Sequence, residues 1–320
     1  MKDVFDDIKH EYALQRARNI DAQRIRTRSA RSLSPRLSAL LDEKEDLLIE
    51  MPHNILKGND ADRAEEKLKS INSAIQSELK KLELPPDHLD IQYRCGQCRD
   101  AGYINRDGRR AKCACLIQRQ IDAAYGDGPA EYARHTFENF NAGIFPEAPV
   151  GSGTMTQREY MEKLKSLLEQ YASSITGNVR PGILLYGQTG LGKTYLLNCI
   201  RKRVLEQGLS VLRLTSFQFF EELKEIHFSR GRSSVDGLLS AALLIIDDLG
   251  TEPYYQNITC EYLFSVLNEA IQRNIPIAIA TNLMPGELKE RYGERAFSRL
   301  FDKGYFSAYA LEGRDVRLGR

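Results

Sequence analysis

The stretch that most limits the fold is Gly187-Gln188-Thr189-Gly190-Leu191-Gly192-Lys193-Thr194. Glycine, four residues, glycine, lysine and a hydroxyl residue follow one another, directly after the apolar run GILLYG (182–187) and directly before an amphipathic stretch at about 193–207. A strand, a glycine-rich turn and a helix in that order can point successive backbone N–H groups inward around phosphates, and the helix N-terminus adds partial positive charge. Lys193 is placed to reach the β- and γ-phosphates, and the Thr194 hydroxyl to coordinate Mg²⁺. All eight residues are therefore candidate ligands of ATP.

The surrounding pattern agrees with that start. The apolar runs SVLRLT (210–215), ALLIIDD (242–248) and IPIAIAT (275–281) alternate with helical stretches at about 217–227 and 258–273, and another helical segment runs from Met155 to about Ile175. Continuous apolar strands between helices predict an α/β domain whose parallel sheet is covered on both faces. In such sheets ligands bind beyond the C-terminal strand ends. There the run Leu243–Ile246 delivers Asp247, a second Mg²⁺ ligand acting through water, and Asp248, which would orient or deprotonate the attacking water. Paired acids at a strand end can also be a turn or a helix cap, and it is the phosphate loop upstream that favours the catalytic assignment. Asn282, after the strand ending at Thr281, is a polar amide able to touch the γ-phosphate or the lytic water. Arg295 and Arg299 lie four apart on one helix face. They are candidates either for stabilising a transferring phosphoryl group in a neighbouring subunit or for ordinary surface ion pairs.

The N-terminal part reads differently. Leucines 37, 40, 41, 47 and 48 recur at helical spacing behind Ser34 and Pro35, a cap and a first-turn residue, so residues 1 to about 50 are expected to be helical. A second helix is expected from about Ala61 to Leu84, stopped by Pro85 and Pro86. Between Arg16 and Arg36 lie seven arginines and one aspartate, either a solvated face or a surface for DNA or an acidic partner.

Four of the six cysteines follow as Cys95-x2-Cys98-x14-Cys113-x-Cys115. The first gap is that of a zinc knuckle, the arm with Gly102 and Gly108 can fold back as a hairpin, and four thiolates would close a structural Zn²⁺ site. An iron–sulfur cluster, a redox pair, or a mixed site using His88 or His135 are the alternatives. Cys199 and Cys260 are isolated and read as core residues. Basic residues around the cluster, with Tyr93 and Tyr103, suit single-stranded DNA, an acidic protein face, or simple solubility. Net charge of +1 gives no global sign of a nucleic-acid partner. With 42% hydrophobic and 28% charged residues, an N-terminus charged from its second residue and no long apolar window, the chain is expected to be globular and cytoplasmic, with no membrane segment.

Taken in order, GQTGLGKT, LLIIDDLGTE, IAIATNL and GERAFSRL resemble the AAA+ ATPases of the DnaC/DnaI replicative helicase loader family, with the IstB transposition helpers as near relatives. The resemblance covers roughly residues 136 to 317, and Thr136–Phe140 is similar to the family's lead-in that borders the adenine. It implies an AAA+ P-loop ATPase fold, Asn282 as first sensor, Arg299 as arginine finger with Arg295 in reserve, and Arg317 as second sensor. Asp248 stands where many AAA+ enzymes have Glu, which allows slow or switch-like turnover. The resemblance also supports zinc, since DnaI-type loaders carry a zinc-binding N-terminal domain that contacts the helicase. A weaker DNA-facing candidate is the segment 217–232 with His227, Arg230 and Arg232.

The expected organisation is a helical partner-binding region at 1–90, a zinc-binding module at 91–125, a glycine- and proline-rich linker at 126–154, and an AAA+ domain at 155–320. The expected function is ATP-dependent loading of the hexameric replicative DNA helicase onto single-stranded DNA, with self-association through the AAA+ domain. The alternatives are a transposase helper of the IstB type and an ATP-binding adaptor with little turnover.

Overall fold

The computed structural model describes residues 2–56, 61–106, 108–126, 132, 134–149, 154–175, 182–228, 235–255 and 258–317. By proximity of Cα atoms the chain divides into two compact units, Met1–Ala111 and Lys112–Arg320.

The first unit is built on three helices, α1 (Lys2–Leu33), α2 (Pro35–Leu56) and α3 (Ala61–Lys81). Ser34 separates the first two because Pro35 disfavours a helical conformation at the residue before it and then starts the next helix without needing its missing N–H. The Ser34 Oγ accepts from Leu37 N at 3.1 Å, an N-cap bond. Ala30, Leu37, Leu41, Ile71, Ile75 and Leu79 form the core among the three helices. Part of the arginine run has structural work. Arg26 donates to the carbonyls of His88 (3.0 Å) and Asp90 (2.8 Å), and Arg31 pairs with Asp42 and Glu45, whereas Arg24 is largely exposed. Strands β1 (Tyr103–Arg106) and β2 (Arg109–Lys112) form a short hairpin, the fold-back expected for the arm between the cysteine pairs.

The second unit is α/β, as expected from the alternating pattern. Strands β3 (Gly182–Gly187), β4 (Val211–Thr215), β5 (Leu243–Leu249), β6 (Ile277–Thr281) and β7 (Phe306–Leu311) form one parallel sheet in the order β4-β5-β6-β3-β7. Helices α4 (Ala114–Tyr125), α5 (Gln157–Ser173), α6 (Lys193–Glu206), α7 (Ser216–Phe228), α8 (Thr259–Arg273) and α9 (Pro285–Leu300) complete this unit. Two apolar cores result. One includes Leu184, Leu244, Ile246 and Ile279, and the other Ile183, Leu185, Ile245 and Ala278. Successive strand residues thus alternate between the two covered faces, which is why the strands read as unbroken apolar runs.

Two features differ from the simplest reading of the sequence. Strand β7 pairs with β3 along its whole length although Ser307, Tyr309 and Ala310 are only partly buried and Ala308 is exposed, so its edge position dilutes the apolar signal. Within the stretch expected as a linker, Phe137 and Phe145 are 3% and 2% exposed and belong to the second core. Their aromatic rings pin a glycine- and proline-rich segment that backbone composition alone reads as loop. Among the described residues no helix is long and apolar enough to cross a membrane.

Candidate functional site

Strand β3 lies between β6 and β7, so the loop leaving its C-terminal end emerges between two parallel neighbours, with helix α6 opening at Lys193. Gly190 adopts φ +74°, and a Cβ there would lie 1.7 Å from Asp315 Oδ1. Only glycine therefore fits between the loop and the C-terminal tail. That tail crosses the loop: Val316 N donates to Gly190 O at 3.1 Å. Gln157 at the start of α5 fixes it, accepting from Arg314 N at 2.9 Å and donating to Arg314 O at 3.0 Å. Arg317 is exposed near the loop and is among the charges that act on Lys193.

The Lys193 ammonium donates to the carbonyls of Gly187 (2.6 Å) and Gln188 (2.5 Å). Burial pushes its pKa down to about 8, with Asp248 and Asp247 opposing the shift and Arg317 reinforcing it. Thr194 Oγ1 donates to Asp247 Oδ1 at 3.1 Å. A hydroxyl and a carboxylate oxygen this close are the hard oxygen donors that suit Mg²⁺. Asp247 is 2% exposed, and burial raises its carboxyl pKa while Arg213 and Thr194 pull against that rise.

Arg213 was not legible as a site residue. It sits on β4, in register opposite Ile245, and its Nη2 donates to Asp247 Oδ2 at 2.6 Å. Its guanidinium also lies 4.7 Å from the Tyr132 ring centroid. In sequence Arg213 is one basic residue in an apolar run, and only the parallel ladder brings it beside a carboxylate 34 positions away.

Strand β5 has an irregular register against β6 between Ile246 and Leu249, and Asp248 within it has φ +56°. A bulge of this kind turns the second carboxylate out of the alternation that the strand would otherwise impose. The carbonyl of Asp248 accepts from Thr251 N (3.2 Å) and Oγ1 (2.9 Å), which hold the turn. Thr281 Oγ1 donates to Leu249 O at 2.5 Å, fixing the end of β6 and with it Asn282 beside the bulge. The lead-in packs on the same helix as the phosphate loop: Tyr195 OH donates to Thr136 O at 3.0 Å, and Asn198 Nδ2 lies 3.0 Å from His135 Nδ1.

The arginines of α9 lie apart from this cluster. Arg295 and Arg299 place their guanidinium carbons 4.0 and 5.8 Å from the Phe264 ring centroid on α8. Arg295 is exposed and 3.6 Å from Glu261. Arg299 is half-buried, and its Nε has no hydrogen-bond partner among the described residues. His227 meets the Tyr262 hydroxyl at 3.1 Å, while Arg230 and Arg232 lie outside the described residues.

The sulfurs of Cys95, Cys98, Cys113 and Cys115 all lie within 4.8 Å of one another. That compactness suits a single tetrahedral ion with metal–sulfur bonds of roughly 2.3 Å. Local backbone shapes the cluster. Arg99 and Asp100 take φ +50° and +55°, and Gly102 N donates to Cys98 Sγ at 3.3 Å. Cys113 is the N-cap of α4, so the last pair sits at a helix N-terminus that favours thiolate charge. Asp100, 3% exposed and not singled out from sequence, accepts from Arg94 N (3.0 Å), Cys95 N (2.8 Å) and Asn19 Nδ2 (2.7 Å). Of the remaining cysteines, Cys199 is buried, with burial pushing its thiol up to about 12, whereas Cys260 is half-buried rather than in the core.

Residues 160–303 match the family model described as IstB-like ATP binding protein. The chain is 21% identical over 179 residues to the replicative helicase loader DnaI of Bacillus subtilis (strain 168), covering 56% of each. It is 27% identical over 144 residues to the replicative helicase loader DnaC of Escherichia coli (strain K12), covering 42% of this chain and 56% of that protein. The match thus spans little more than half the length of either relative. A crystal structure of DnaI superposes with a TM-score of 0.44 at 20% identity, covering 60% of this chain and 95% of that one. By family model and by sequence, this chain is similar to the IstB-like ATP-binding proteins and to the DnaC/DnaI replicative helicase loaders.

Proposed function

We propose that this chain is an ATP-dependent loader that places a hexameric replicative helicase on single-stranded DNA during replication initiation. One observation carries the reading. Lys193, Thr194, Asp247 and the bulged Asp248 converge at one end of a parallel sheet, under a tail that brings Arg317 to the same loop. The backbone of residues 187–194 would hold the ATP phosphates, with Thr194 and Asp247 holding Mg²⁺. The metal ion, when bound, neutralises charge on the β- and γ-phosphate oxygens. Asp248 would accept the proton of the attacking water, Asn282 would orient that water, and Arg317 would sense the nucleotide from the tail. Arg299, with Arg295 in reserve, would reach the site of a neighbouring copy and contribute roughly 10³- to 10⁵-fold in rate. Cys95, Cys98, Cys113 and Cys115 would hold a structural Zn²⁺ in the part of the chain that grips the helicase. The protein would act in the cytoplasm.

The similarity to proteins named helicase loaders supports the choice of client. The test is twofold. ATP turnover with and without single-stranded DNA should fall sharply in Asp248→Asn, and the replicative helicase should co-purify with the chain from extract. Equal turnover in both proteins would defeat the catalytic assignment and leave an ATP-binding adaptor. A second reading, a helper ATPase for a transposase, is favoured by the family-model match over 160–303. Recovery of a transposase in place of the helicase in the same pull-down would establish it.

A further inference from the structure

Helix α9 is broken at Gly293, where φ 78° and ψ 168° are non-helical. A residue with a Cβ is strained at that positive φ. The break separates segment 285–292 from segment 294–300, and both Arg295 and Arg299 lie on the second. Immediately before the break, Arg291 and Tyr292 converge on Glu252, whose side chain is fully enclosed. Glu252 Oε1 accepts from Tyr292 OH (2.5 Å) and from Arg291 Nη2 (3.1 Å) and Nε (3.2 Å). Its Oε2 accepts from Gly250 N (2.8 Å), and its backbone carbonyl takes a further bond from Arg291 Nη2.

Glu252 stands four residues beyond Asp248 on the loop that leaves the bulged strand. Every one of these donors comes either from that loop or from α9. An enclosed carboxylate tolerates no loss of partners, so the loop and the first segment of α9 must move together or not at all. The same loop is tied to the end of β6 through the bond from Thr281 Oγ1 to Leu249 O. The carboxylate strand, the Asn282 turn and the helix that carries the arginines are therefore joined through one buried charge.

We propose that Glu252 is a positioning residue: through Arg291 and Tyr292 it sets the arginine-bearing end of α9 from the end of the carboxylate strand. The proposal rests on the reading that Arg299 acts on ATP held by a neighbouring copy. Glu252 itself touches no reacting atom. Its effect travels outward, so that the arginines are presented correctly only when Asp248 and its loop are in place.

The test uses full-length chains and single-stranded DNA. Glu252→Gln should bind ATP within about twofold of the parent, because the phosphate loop is untouched, and lose about 10²-fold in turnover, the scale of a roughly 1 Å misplacement. Mixing it with Lys193→Ala, which cannot hydrolyse ATP but keeps an intact α9, should restore turnover, since the intact arginine serves the neighbouring Glu252→Gln site. Arg299→Ala mixed with Lys193→Ala is the reference and should recover in the same way. If the reference recovers and Glu252→Gln does not, Glu252 acts within its own site and the proposal is overturned. If the reference itself fails to recover, the neighbouring-copy reading falls and the proposal falls with it. Should Glu252→Gln not fold, Tyr292→Phe keeps volume and the Arg291–Glu252 pair, and predicts a smaller loss rescued by the same partner.

Discussion

Lys193 and Asp247 show how burial and a few close partners fix single side chains of the site. The ammonium is buried against two carbonyls, and its pKa of about 8 means that part of the population is neutral in mildly alkaline solution. Polyphosphate favours the charged form. ATP binding should therefore take up protons above about pH 8 and none near pH 6, and affinity should fall as the free lysine deprotonates. Calorimetry in buffers of different ionisation enthalpy reads this directly. The sign for stability follows: the folded pKa lies below the unfolded value, so between about 8 and 10.5 the unfolded chain binds more protons and stability rises with pH. Asp247 depends on Arg213 in the same way. With side chains only 2% and 11% exposed, the pair is buried, and Arg213→Met should destabilise the second unit by about 3 kcal/mol in urea unfolding. Adding Asp247→Asn should return much of that loss, the signature of a coupled pair. The phosphate loop and the paired aspartates were singled out because each is a local pattern, although Thr194 and Asp247 meet across 53 positions. Arg213 and Gln157 were not, because each acquires its partner from a distant part of the chain, and Asp100 and Glu252 were not, because no local pattern marks a carboxylate that gathers both near and distant donors.

At the scale of elements, the strands of the sheet were legible because burial on both faces writes a continuous apolar run. Edge strand β7 and the aromatic anchors at 137 and 145 were not, since each mixes apolar residues with polar neighbours. The cysteine hairpin makes its own prediction. Two four-residue strands and a turn cannot bury enough surface to persist alone, so their order should depend on metal. Purified chain should carry about one zinc per molecule, and Cys98→Ser or chelation should remove it. Hydrogen exchange in 103–112 should then accelerate, while ATP binding stays unchanged. Persistent protection without metal would show that the hairpin is held by other means. Gly190→Ala should disturb a different element. The added methyl displaces Asp315 and with it the tail that holds Arg317, so ATP affinity should drop although the loop sequence is otherwise intact.

At the scale of the whole molecule, the chain combines a helical unit, whose three-helix core is satisfied on its own, with an α/β unit that carries the candidate nucleotide site. The fold class was legible from motif order and strand–helix alternation. Any partner would be chosen by surface chemistry, which no short motif encodes. The most direct test is to assemble the replicative helicase on circular single-stranded DNA in the presence of this chain and ATP, and to measure the helicase retained on the circle. A loader function requires retention that depends on the chain and is lost with Lys193→Ala. Equal retention with the chain, with the variant and with neither would contradict it.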